Sequence, residues 1–129
     1  MKFTHYMGTL GAALMLSAMA APVAMAHGSM KPQHHGKVQM SGETVVELVA
    51  TAKGVDVYIT EEDEPLVAAG YTAKLTITAA GQKKEVPLVA MAGNRLTAVG
   101  AKIPAGAKTV VALTNKASGD RIFVVFPGK

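Results

Sequence analysis

Residues 72–79 read TAKLTITA, and this stretch decides the fold. Ala73, Leu75, Ile77 and Ala79 alternate with Thr72, Lys74, Thr76 and Thr78. Successive side chains of an extended chain point to opposite faces, so the pattern builds one dry face and one wet face. The same period recurs upstream, where Val55, Val57 and Ile59 alternate with Asp56, Tyr58 and Thr60. Thr44 to Thr51 sets Val46, Leu48 and Ala50 on one face. Downstream, Val86 and Leu88 mark a further strand, and Pro87, which cannot donate to a ladder, points to an edge. Leu96 and Ala98 begin another. Thr109 to Thr114 and Arg121 to Phe126 are Val-rich, nearly continuous apolar runs of the kind found in well-buried strands.

Turn chemistry separates these segments: Lys53-Gly54, Gly70, Gly81-Gln82, Gly93-Asn94, Pro104-Ala105-Gly106 and Ser118-Gly119-Asp120. Short strands at such regular spacing predict an all-β domain, an immunoglobulin-like β-sandwich of seven to eight strands over residues 37–129, with Met40 in its first strand. There is no cysteine, so the domain must be held by its core. A unit of about 100 residues buries enough surface for that.

The beginning of the chain has a different character. Lys2 is followed by a small, apolar stretch from Met7 to Ala20, then Pro22, then Ala24-Met25-Ala26. That order predicts a signal peptide over residues 1–26, cut after Ala26, with Ala18-Met19-Ala20 as the competing site. The expected product is periplasmic or secreted. It has no membrane span, since no later stretch approaches the roughly 18 apolar residues that a span requires.

Residues 27–36, HGSMKPQHHG, lack apolar periodicity and read as a flexible arm. Beyond residue 26 the net charge is +3 and the only aromatics are Tyr58, Tyr71, Phe123 and Phe126, so no basic aromatic stripe suited to nucleic acid is present.

Catalytic motifs are missing. There is no HExxH, no GxxxxGK[ST] and no GxGxxG. A Ser–His–Asp triad needs a rigidly held histidine, and every histidine beyond residue 26 lies in the arm: His27, His34 and His35. The expectation is a protein that is not an enzyme. The carboxylates that could form an acid/base pair are Glu47, Asp56, Glu85 and the run Glu61-Glu62-Asp63-Glu64, which reads as a solvated hairpin loop.

Cleavage after Ala26 makes His27 the first residue. A terminal histidine offers its α-amine and Nδ1 to one metal as a chelate, and both titrate close enough to neutrality to be freed of protons. His34 and His35 add nitrogens as the arm loops back. Such a set suits Cu(II), first in the divalent affinity order, and Met30 supplies a thioether suited to Cu(I). The expected metal ligands are therefore His27, His34, His35 and Met30, with copper as the ion. The competing expectation is an interaction module, an adaptor-like sandwich docking on an envelope complex, with the arm a plain terminus.

The segment HHGKVQMSGETVVELVATAKGVDVYITEEDEPL, followed by AKLTIT, resembles a family of small exported domains. That family has HHGG-V near the start, a strand rich in ELVA and a tyrosine-containing hairpin ending in Pro. It is associated with periplasmic heavy-metal efflux and resistance systems, alone or joined to the adaptor subunit. The resemblance covers Pro32 to Ala79, with weaker agreement through NRLTAVGAK. It implies that His34 and His35 stand at the family's histidine positions, that Glu61 to Pro65 form its acidic hairpin, and that the partner is an efflux or envelope complex. Lys37 stands where the family commonly has a second Gly. In size, export and terminal histidine the chain is also similar to small copper carriers with a β-barrel fold, whose Met-rich loop and later histidines it lacks.

Overall fold

A computed structural model describes residues 29–128. The signal peptide read over residues 1–26, and His27 with it, lie outside the described residues. The strands are β1 (Lys37–Ser41), β2 (Thr44–Thr51), β3 (Gly54–Glu61), β4 (Glu64–Pro65), β5 (Tyr71–Ala79), β6 (Gln82–Ala90), β7 (Arg95–Val99), β8 (Lys108–Asn115) and β9 (Arg121–Phe126). One 3-10 turn, Ala68–Gly70, is the sole helical element among the described residues. None of these residues forms a helix long and apolar enough to cross a membrane.

The all-β expectation holds. The strands form an antiparallel array in the order β1-β2-β3-β7-β6-β5-β8-β9, with β4 added to β3. Neighbours β8-β5-β6-β7 make a Greek key, the connection found in most sandwiches. Two halves face each other over one core, and β6 belongs to both. It pairs with β5 from Gln82 to Leu88 and with β7 at Val89 and Ala90. The end strands β1 and β9 lie alongside each other, so the sheet curls nearly into a barrel.

This hand-over explains Pro87. The two-residue turn Ala80-Gly81 has positive φ at both positions, the primed geometry that suits a tight hairpin. Counting back from the closing pair Ala79–Gln82, Pro87 faces Lys74 at a site where its nitrogen points away from β5. The β7 ladder starts only at Val89, so no hydrogen bond is forfeited. Sequence logic placed Pro87 on an edge strand. The structure places it in an interior strand, at the one stretch where that strand has a free side.

The core is assembled from one face each of β2, β3, β5, β6, β7, β8 and β9. Val46 and Leu48, Val57 and Ile59, Leu75 and Ile77, Leu96, Val111 and Leu113, and Val124 and Phe126 all point inward and are buried. The apolar runs in β8 and β9 are not buried on both faces, as their composition suggested. Phe123 and Val125 are 54% and 44% exposed. An antiparallel sheet with no outer layer covers only one side of its strands.

One inward side chain is mismatched. Thr109 is buried, and its Oγ1 has no hydrogen-bond partner among the described residues. It sits in register with Ile77 and Phe126, both apolar. An unpaired buried hydroxyl is unfavourable. Thr109→Val is therefore expected to stabilise the fold by about 1 kcal/mol in urea unfolding. A loss of stability on this substitution would mean that the hydroxyl has a partner after all.

Candidate functional site

Glu47 breaks the apolar run of β2, TVVELVAT. Strand parity turns it away from Val46 and Leu48, onto the outer face. There it stands in register between Val38 of β1 and Tyr58 of β3. An outward glutamate on such a face is expected to be solvated. Instead Glu47 is only 5% exposed, because the segment preceding β1 folds across it.

The carboxylate holds that segment by its backbone. Oε1 accepts the N–H of Gln33 at 2.9 Å, and Oε2 accepts those of His34 and Gly36, both at 2.8 Å. The His34 ring adds Nδ1 at 3.1 Å from Oε1. Backbone N–H groups converging on one anion make a nest, here closed around a side chain of the same protein. Burial alone would raise the Glu47 pKa. The N–H groups of Gly36, Gln33 and His34, followed by the His34 ring, outweigh it and hold the carboxyl below its ordinary value.

Two backbone features make the nest. His35 adopts φ 61°, in the left-handed region, and this turns the chain between the N–H groups of His34 and Gly36. Gly36 runs so close to β2 that a Cβ would collide with the Leu48 carbonyl and the Val49 side chain. Glycine is required here for close approach, which differs from the flexibility that its place in a polar arm suggests.

The His34 side chain is held on two sides. Nδ1 faces Glu47, and the ring stacks on Tyr58 with centroids 3.5 Å apart and planes 6° from parallel. An ionised carboxylate only accepts, so Nδ1 carries the proton and the lone pair of the neutral ring falls on Nε2. The side chain remains 41% exposed. It lines an open hollow of about 290 Å³ with Tyr58, Thr60, Asp63 and Asn94. Ser29 also lines this hollow, with its N–H bonded to the Asp63 carboxylate. Glu62 and Asp63, the turn between β3 and β4, both have positive φ, so the acidic run forms the hairpin turn that its composition suggests.

The four residues read as metal ligands are placed differently from one another. His34 lies in the clamp just described. His35 points elsewhere and lines a separate hollow with Lys37, Leu48 and the loop Ile103 to Ala107. Met30 is 43% exposed. His27 lies outside the described residues. Among the described residues, no three His, Asp or Glu side chains converge as a group able to hold a metal ion. Glu47 and Tyr58 are the partners that sequence reasoning did not connect to the histidines. The available signals were an acid inside an apolar strand and a tyrosine in register beside it. Comparison with protein-family models, with curated proteins and with solved structures finds no match for this chain.

Proposed function

We propose that this protein is an exported, non-enzymatic metal-binding accessory, with copper as its ion and His34 Nε2 as a ligand. The observation that carries the reading is the Glu47–His34 pair stacked on Tyr58. A ligating histidine characteristically gives its other ring N–H to a carboxylate, which sets the tautomer, orients the ring and raises its basicity. Glu47 stands in that relation to His34, and the ring is already immobilised before any ion arrives.

The remaining strong nitrogen donors in this reading come from before Ser29. His27 precedes Ser29 by two residues, a reach of roughly 7 Å from a residue that borders the His34 hollow. A free amine and imidazole at His27 would complete a nitrogen set suited to Cu(II). Met30 offers sulfur to the reduced ion, and His35, on the other side of the chain, drops to a secondary place. The resemblance to efflux-associated domains agrees with this reading and gives the partner class, a periplasmic metal-efflux or envelope complex. One observation favours the alternative, an adaptor-like interaction module: Phe123 and Val125 are exposed side by side on the outer face of the end strand β9.

Native mass spectrometry of the exported protein against copper, zinc and nickel decides between them. One Cu(II) is expected, with a nitrogen-rich paramagnetic-resonance spectrum and an affinity that falls on acidification, as protons compete for the ligands. Glu47→Gln is expected to lower the affinity about 10–100-fold through loss of ring orientation. His34→Ala should cost at least as much. Metal uptake no better than that of an unrelated exported domain would remove the reading in favour of the interaction module.

A further inference from the structure

We propose that one end of the sheet docks on an anionic lipid surface. The strands are antiparallel, so the connections collect at two ends, and the charges separate between them. One end carries the β2–β3 turn, the β5–β6 turn, the β7–β8 loop and the start of β1. It presents Lys37, Lys53, Lys83, Lys84, Lys102 and Lys108, all exposed.

These lysines surround the loop that links β7 to β8. The Gly100 N–H donates to the Lys53 carbonyl at 2.8 Å. Lys102 lies within the loop and Lys108 ends it. Lys108 and Lys83 are both in register with Thr78, so two strand spacings, about 10 Å, separate them. Lys37 shares a hollow with Pro104 to Ala107. Among the described residues, no carboxylate forms an ion pair with any of the six. The nearest carboxylates along these strands are engaged elsewhere, Asp56 with the Thr97 hydroxyl and Glu85 with Lys74. The opposite end carries Glu43, Glu61, Glu62, Asp63, Glu64 and Asp120, beside Lys31, Arg95, Lys116 and Arg121. A molecule polarised in this way is oriented by a charged plane, lysines toward it and carboxylates away.

The chemistry favours a lipid surface over a discrete phosphate or a nucleic acid. The cations are all lysines, point charges without the fork that grips one phosphate. The hollow at this end is lined by only one of them, Lys37. Among the described residues, no exposed Phe or Tyr lies there for bases to stack on, and His35 is the one aromatic ring in the hollow. Among the lysines stand Val99, 83% exposed, and the exposed Pro104 and Ala105 at the loop tip. Lysines spread around small apolar residues match a plane of anionic headgroups over hydrocarbon.

Flotation of the full chain with vesicles of phosphatidylglycerol and phosphatidylcholine, against phosphatidylcholine alone, tests the proposal. Binding is expected only with the anionic vesicles and should weaken between about 50 and 300 mM NaCl. The triple variant Lys53→Glu, Lys102→Glu, Lys108→Glu should bind on the order of 100-fold more weakly, about 5-fold for each lysine. All three residues are exposed, so its circular dichroism should match the parent. Lys116→Glu, at the acidic end, should leave binding unchanged. Binding carried by the apolar residues 7–20 would ignore both salt and the triple variant, and that result overturns the proposal. So does tighter binding of a DNA duplex than of the anionic vesicles.

Discussion

Leu75→Ala is expected to lower the free energy of unfolding by about 2–5 kcal/mol, a large share of the roughly 5–15 kcal/mol that holds a domain of this kind. Leu75 has no exposed surface. It sits at the middle of β5, in register with Val86 on one side and Val111 on the other, and points into the space between the two halves. Truncation removes the transfer free energy of the lost carbons. It also leaves a cavity that two hydrogen-bonded neighbours prevent from collapsing. Urea unfolding followed by circular dichroism measures the loss. Thr76→Ala, one residue on and facing outward, is the control and should stay within about 0.5 kcal/mol. A loss at Leu75 no larger than the control would mean that the inward and outward faces of β5 are reversed.

Glu47→Ala is expected to cost about 2–3 kcal/mol near neutral pH, an unusual penalty for a glutamate on the outer face of a strand. Three backbone N–H groups and one ring nitrogen lose a charged acceptor together. The cost is capped because the segment before β1 can peel off and let water satisfy those groups. That release has its own signature, faster amide exchange at Gln33, His34 and Gly36. The pH dependence follows from the direction of the shift. The folded Glu47 pKa lies below its ordinary value of 4.5, so its contribution is complete above the unfolded value. It is lost as pH falls below 4.5 through the folded value. Parent stability should therefore decline more steeply than that of Glu47→Gln on acidification from about pH 5 to pH 3. Parallel profiles for the two proteins would show that the carboxylate is not held as described.

The periodic strands were legible because their pattern is local. β5 shows the period in eight successive residues, and Leu75 and Ile77 are buried as that period requires. β4, with two residues, is too short to show any period and exists only because the Glu62-Asp63 turn folds it back on β3. Composition alone overstated the burial of β9, since Val and Phe in a strand do not reveal whether a second layer covers the outer face. The histidines were conspicuous in sequence, but their chemistry was not. His34 and His35 are adjacent, and the left-handed turn at His35 sends their side chains into different hollows.

From the sequence alone follow an all-β fold, the inward faces of the alternating strands β2, β3 and β5 and the absence of any disulfide, because strand parity and residue type act within a few positions of one another. The Glu47 clamp was decided only by tertiary structure. Its donors lie 11 to 14 residues before the carboxylate in the chain, and no period links them. Glu47 reads as solvated until another segment crosses it, and Gly36 reads as flexible until β2 comes within reach of its missing Cβ. The gathering of six lysines at one end has the same origin. They are scattered from residue 37 to residue 108, and only the antiparallel winding of the strands brings their positions together.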